Sequence, residues 1–156
     1  GNNHPILAPY GIFKTSDGEI AVAPASDKFC SIFLECIGLI SLLENELYKN
    51  NSNRMKNRDS LNEIVNERMI SETSDFWIKK LNKAGCPAAK IVSLPEALNS
   101  QLIQDNEMVI NSNGPEGRQI KMTGFPVKLS DTPSKLYRSP PLLGEHTKEI
   151  LKTIKK

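Results

Sequence analysis

Residues 9–23 constrain the fold of this chain more than any other stretch: Pro9-Tyr10-Gly11-Ile12-Phe13-Lys14-Thr15-Ser16-Asp17-Gly18-Glu19-Ile20-Ala21-Val22-Ala23. Two apolar-rich runs flank Ser16-Asp17-Gly18. That pattern reads as a β-hairpin, with the glycine expected to supply the positive φ of a tight turn.

After the hairpin the period changes from two to helical. Phe29, Ile32, Phe33, Cys36, Ile37 and Ile40 recur at the spacing of one helix face. Ser26 or Asp27 is placed to cap that helix. Cys36 lies on the stripe, so it reads as a small buried hydrophobe rather than a reactive thiol. The polar run Asn50–Asn53 reads as a loop. Leu61, Ile64, Val65 and Met69 form a second helical stripe. Phe76, Trp77, Leu81 and Ala84 form a third after Thr73, ended by Gly85 in the left-handed conformation and closed off by Pro87.

Ala88–Val92 reads as a short strand. Ser93-Leu94-Pro95-Glu96 is a capping box that opens a short helix through Leu98, and another short helix covers Leu102 to Asn106. Met108–Ile110 and Gln119–Met122 read as strands joined across Asn113–Gly117, and Val127–Leu129 as one more. From Ser130 to Pro141 the chain is rich in Pro and Ser and reads as an extended arm. Glu145–Ile154 closes it as a helix with Ile150, Leu151 and Ile154 on one face. The fold class expected is α+β. One small antiparallel sheet, from the hairpin at Tyr10–Ala23 and strands near Ile91, Ile110, Ile120 and Val127, is covered by helices near residues 27–38, 59–70 and 74–84. Phe33, Ile37, Trp77 and Leu81 are the expected core. Residues 1–129 form the expected small domain, and 130–156 an arm and terminal helix.

Composition removes several function classes. With 156 residues, 38% hydrophobic and 24% charged, the chain has the makings of a folded globule. A net charge of +2 is too small to imply a nucleic-acid partner. The Asn53–Asp59 segment is basic but has no interleaved aromatics on which bases would stack. It reads as a loop entering a helix, with Arg54 or Arg58 tying down backbone carbonyls. The clusters Lys79-Lys80-Lys83 and Lys148, Lys152, Lys155, Lys156 sit where helix C-termini are expected, and there cations meet the negative end of the helix dipole. No apolar run approaches membrane-spanning length, and no signal peptide opens the sequence. Cys30, Cys36 and Cys86 make an odd set without close pairing, which suits a reducing cytoplasm. His4 and His146 lie far apart, so no metal-ligand spacing is visible.

Four segments, in order, resemble the small domain of family III CoA-transferases of the CaiB/BaiF type. The hairpin resembles APYG-aromatic-x-T-x-DG-x-I-A. Asn51, Arg54, Asn57, Arg58 and Leu61 match N-x-x-R-x-x-N-R-x-x-L. Thr73–Ala89 resembles T-x-x-x-W-x-x-x-L-x-x-A-G-V-P-x-G, with Cys86 in place of Val and Ala89 in place of Gly. Pro126–Pro133 and Pro140–Thr147 resemble P-x-x-L-S-x-T-P and A-P-x-L-G-E-H-T. The resemblance implies an enzyme that moves coenzyme A between carboxylic acids through an aspartyl-CoA thioester, the thioester being substrate rather than a bound cofactor. It implies an interlocked homodimer in which each chain has a large domain carrying the nucleophilic aspartate and an inserted small domain.

The expectation is therefore a fragment: the small domain and the start of the return arm, inactive alone, whose partners are the large domain and a second subunit. Asp17, Asp27 and Asp131 do not match the family nucleophile, so no catalytic residue is assigned. The family's glycine-rich substrate loop corresponds to Gly1, Asn2, Asn3 and His4, where the multiple-glycine run is absent and G-N-x-H-P, found in other members, is present. Two alternatives stay open: part of a 2-methylacyl-CoA racemase of the same fold, and a free-standing binding module without catalysis.

Overall fold

The computed structural model describes residues Gly1–Ile154 and separates into two compact units, Gly1–Ile91 and the chain from Val92 onward. Lys155 and Lys156 of the C-terminal basic cluster lie outside the described residues.

The first unit opens with the hairpin, β1 (Gly11–Thr15) and β2 (Gly18–Val22), paired antiparallel with Thr15 opposite Gly18. A third strand, β3 (Ala88–Lys90), pairs with the other edge of β2, so the order is β1-β2-β3. Period-two alternation sends Phe13 of β1 and Ile20 and Val22 of β2 to the buried face. Gly18 does not adopt positive φ, contrary to the expectation from the turn. It is already the first residue of β2. The Asp17 carboxylate instead fastens the turn, accepting from Thr15 Oγ1 at 3.1 Å and from Ser74 N and Oγ at 2.7 and 2.8 Å.

Four helices complete this unit: α1 (Asp27–Cys36), α2 (Asn51–Lys56), α3 (Arg58–Met69) and α4 (Ser74–Lys83), with a 3₁₀ turn at Ile40–Glu44. Ser26 caps α1, and its buried residues are Cys30, Phe33 and Leu34, followed by Ile37 just past the helix. The buried stripe is thus rotated from the expected one: Phe29, Ile32 and Cys36 are only half-buried, and Ile40 is exposed. The Asn50–Asn53 run is not a loop; Asn50 caps α2 by accepting from Asn53 N. Leu61, Val65 and Met69 of α3 are buried, as are Trp77 and Leu81 of α4. Trp77 Nε1 donates to Met69 O at 2.7 Å, which satisfies its one polar group inside the core. Phe76 faces outward at 44% exposure and packs edge-on against Trp77.

Gly85 ends α4 at φ +84°, the left-handed conformation expected there. Asn82 then accepts from Ala88 N and donates to Ala88 O, steering the chain into β3. The free edge of β1 is occupied by α3 and the turn after it. Lys14 N donates to Asn66 Oδ1 at 2.9 Å, and Ser16 N to Glu72 O at 3.0 Å. With these two amides taken, this edge offers less of a template for pairing with another chain.

The second unit holds α5 (Leu94–Leu98), α6 (Gln101–Asp105), β4 (Val109–Asn113), β5 (Gln119–Thr123) and α7 (Thr147–Ile154). The capping box of α5 is complete: Ser93 Oγ accepts from Glu96 N, and the Glu96 carboxylate accepts from Ser93 N. The strands β4 and β5 pair only with each other. The single sheet expected from sequence is therefore two sheets, of three and two strands. No strand forms at Val127–Leu129, a Val-Lys-Leu stretch that finds no neighbour to extend the ladder. Residues 130–141 lack regular structure, and α7 leaves Ile150, Leu151 and Ile154 exposed. The fold class is mixed α+β with small antiparallel sheets, as expected.

Candidate functional site

The four sequence-derived site residues, Gly1, Asn2, Asn3 and His4, begin a segment that runs to Tyr10 along α2 and α3. It contains no helix or strand, so its backbone groups need partners from elsewhere. Side chains of α2 and α3 supply them. Asn51 grips two residues at once: its Oδ1 accepts from Ala8 N at 3.2 Å and its Nδ2 donates to Ile6 O at 2.8 Å. Arg54 Nε donates to Ala8 O at 2.7 Å and Nη1 to Tyr48 O at 3.2 Å, while Nη2 meets the Asp27 carboxylate. Arg58 Nη2 donates to His4 O at 2.7 Å and to Leu7 O at 3.4 Å. Asn62 Nδ2 donates to Asn3 Oδ1 at 3.2 Å.

The sequence reading that Arg54 or Arg58 ties down carbonyls describes both residues. The motif N-x-x-R-x-x-N-R is a fastening device: two short helices hold an irregular segment some fifty positions away by its own backbone. Asn57 acts within that device, donating to Leu47 O and Asn53 O where α2 passes into α3.

His4 and Tyr10 close the segment. His4 N donates to Tyr10 O at 2.9 Å, and the two rings stack with centroids 4.6 Å apart. His4 Nδ1 accepts from Ile6 N at 3.3 Å. Beneath them lies Gly11. A Cβ there would sit 2.8 Å from Asn3 Oδ1 and 3.3 Å from Asn2 O, so the absent side chain lets Asn2 and Asn3 approach the start of β1 closely. Gly1 makes no such contact. Asn62, Tyr10 and Gly11 were not legible as site residues. The signal for Asn62 is its spacing, since positions 54, 58 and 62 fall one turn apart and reach successive parts of the same segment.

The other chemistry-bearing residues are structural. Burial pushes the Cys30 and Cys86 thiols up to about 11 and raises that of Cys36, so none is poised as a thiolate. Backbone and side-chain hydrogen bonds from Ser74 hold the Asp17 carboxyl below its ordinary value. Asp27 is committed to Arg54, and Asp131 accepts from Ser130. Among the described residues, no group of three or more His, Cys, Asp or Glu could hold a metal ion, and no helix is long and apolar enough to cross a membrane.

The sequence profile described as CoA-transferase family III matches residues 1–147. This chain belongs to CoA-transferase family III. The matched range holds the whole of the fastened segment and the helices that grip it. Among family III relatives, the human succinyl-CoA:glutarate CoA-transferase is 30% identical over 154 residues, covering 99% of this chain and 35% of its own length. The acetyl-CoA:oxalate CoA-transferase of Acetobacter aceti is 28% identical over 130 residues, covering 83% of this chain and 32% of its own. A solved CaiB/BaiF family protein from Brucella suis superposes with a TM-score of 0.73 at 28% identity, over 99% of this chain and 39% of that one. The chain thus spans about a third of the length of these relatives, from 32% to 39%. Family III members transfer coenzyme A, with acyl-CoA thioesters and carboxylic acids as substrates.

Proposed function

We propose that this chain is the small domain and the start of the return arm of an enzyme that transfers coenzyme A between carboxylic acids. Residues 1–129 form the domain and 130–156 lead back toward a large domain outside the chain. The nucleophile is an aspartate of that large domain, which forms an aspartyl-CoA thioester and frees the first acid. The second acid then takes the coenzyme A. The enzyme works as an interlocked homodimer in a reducing cytoplasm, and residues Gly1–His4 lie beside the acyl-CoA. The observation that carries this reading is the family match along residues 1–147 of a chain that spans about 35% of a named CoA-transferase. The aspartates of the hairpin turn and of α1 are already engaged in structural bonds, which supports placing the nucleophile elsewhere.

The test follows thioester exchange by mass spectrometry, with succinyl-CoA or acetyl-CoA as donor and glutarate, succinate or oxalate as acceptor. The chain alone is expected to show no exchange above the protein-free control, because a missing covalent nucleophile cannot be replaced by binding surface. The protein encoded by the complete reading frame is expected to show it. Exchange by the chain alone, abolished by replacing any one of its aspartates, would overturn the assignment.

A further inference from the structure

The outer strands of the two sheets differ in how their free edges are guarded. Along β1, the amides of Lys14 and of Ser16 just beyond it are taken by Asn66 and Glu72. β3 is three residues long, and the Asn82 side chain occupies both the N–H and the C=O of Ala88. β5 carries Lys121 at its centre, and a lysine on an edge discourages pairing. β4 has none of these devices. The ladder fixes which of its groups are free. Gly114 N donates to Arg118 O at 2.6 Å and Gly124 N to Met108 O at 2.8 Å. In the observed register, the bonded pairs between them are therefore Ser112 with Ile120 and Ile110 with Met122. Val109, Asn111 and Asn113 turn their amides and carbonyls the other way. Of these groups only Asn113 O meets a donor, Ser112 Oγ at 3.3 Å. The others have no partner among the described residues.

A two-stranded sheet is marginal in water until further strands or a helix cover it, and in β4 and β5 only Ser112 is buried. We propose that the outer edge of β4 pairs antiparallel with β4 of a second copy of this chain, about a two-fold axis at Asn111. Asn111 then faces its own counterpart, and Val109 faces Asn113 of the partner subunit. Each such pair exchanges two N–H···O=C bonds, and the two hairpins become one continuous sheet. The chemistry of the edge selects a second copy as occupant. Val109, Asn111 and Asn113 carry no charge, so the two-fold opposes no like charges. The exposed Asn111 side chain offers both a donor and an acceptor, which suits its own image across the axis. The same operation on β5 would set Lys121 against Lys121. This contact needs no large domain, and it does not rest on the reading of the chain as part of a CoA-transferase.

Sedimentation equilibrium of this chain, from micromolar to near-millimolar protein, is expected to show a reversible monomer–dimer equilibrium. Asn111→Pro removes an outward amide and no β4–β5 bond, and on such an edge proline is tolerated. It deletes one donor from each copy and is expected to raise the dissociation constant by about tenfold or more. Asn111→Lys sets two charges against each other across the axis. It is expected to weaken the dimer in the same way and to regain part of the loss in high salt. Circular dichroism checks the folding of both, and Asn111→Lys carries the test if the proline variant does not fold. Lys121→Pro makes the matching change on the opposite edge and is expected to leave the dissociation constant as it was. Register is read by cross-linking. Facing Cα atoms of a bonded antiparallel pair stand about 5.5 Å apart, within reach of a disulfide. Mild oxidation of Asn111→Cys is therefore expected to give a covalent dimer, and that of Lys121→Cys is not. The unsubstituted chain, whose own thiols are buried or half-buried, is the control. A monomer at every concentration would overturn the proposal. So would a dimer indifferent to Asn111→Lys, or cross-linking no better through position 111 than through position 121.

Discussion

Asp17 shows how a single carboxylate can couple two distant elements. It closes the β1–β2 turn through Thr15 and anchors the first residue of α4 through Ser74. Its folded-state pKa is depressed by those bonds, so its contribution to stability is full above the unfolded value and is lost as pH falls through the folded one. Asp17→Asn is expected to lower the urea midpoint at neutral pH and to flatten its fall below about pH 4, near the ordinary aspartate value. An unchanged acid slope would show that the turn does not depend on the charge. The Arg54–Asp27 pair is lopsided: the arginine side chain is 2% exposed and the aspartate 71%. Arg54→Ala strips donors from two carbonyls, at Ala8 and Tyr48, and leaves a cavity, for an expected loss of roughly 2–5 kcal/mol. Asp27→Asn keeps an acceptor oxygen in place and is expected to cost under about 1 kcal/mol, as for exposed pairs. Both losses are read from denaturant titrations. Equal losses would mean that the ion pair, rather than the backbone bonds, holds Arg54 in place.

At the level of elements, Gly85 gives the cleanest measurement. Nothing lies within 4 Å of where its Cβ would be, so Gly85→Ala meets no steric clash and reports only the left-handed backbone at the end of α4. The expected cost is about 1–2 kcal/mol, measured by the shift in denaturant midpoint. Elements that bury a repeating apolar face, or end on a residue with one physical use, were legible in the sequence. The hairpin, α3, α4, the Ser93 capping box and Gly85 are of this kind. The α1 stripe was misplaced because apolar residues lie on both sides of the true face, Phe29 and Ile32 beside Cys30 and Phe33. The α2 helix was missed because it buries no apolar stripe; its one fully enclosed side chain is Arg54, and its polar groups serve the backbone of other segments. The strand expected at Val127–Leu129 fails for the complementary reason. Local propensity is present, but a strand needs a partner, and pairing is not written in three residues. The candidate site was half legible. The motif that fastens the segment could be read, whereas the His4–Tyr10 stack and the Gly11 contact depend on a three-dimensional approach that spacing does not encode.

On the scale of the whole molecule, every buried hydrophobic residue of the core, from Ala8 to Cys86, lies in Gly1–Ile91. The remainder of the described chain buries only Ser112 and Gly124 and leaves Leu94, Leu102, Leu129, Leu142, Leu143 and the apolar face of α7 exposed. A protein trimmed to residues 1–91 is therefore expected to unfold in one cooperative transition, followed by circular dichroism. Residues 92–154 alone are expected to melt without a cooperative transition and with little protection from amide hydrogen exchange. Two transitions of comparable sharpness would show that the second unit has a stabilising core of its own. Trp77→Ala belongs to the same comparison. Removing the largest buried side chain of the first unit is expected to cost about 3–5 kcal/mol in either the whole or the trimmed protein. A loss below about half a kcal/mol would place Trp77 outside the core.

Trp77 is the chain's one tryptophan, and it is fully enclosed. Its indole sits against Phe76, and the Arg68 guanidinium carbon lies 5.3 Å from the ring centre. The molecule therefore carries a single indole reporter, shielded from soluble quenchers and confined to the first unit. Selective excitation of that indole will register loosening of the α3–α4 core around it. An unchanged emission spectrum on adding a ligand or partner is accordingly no evidence that the rest of the chain has stayed as it was.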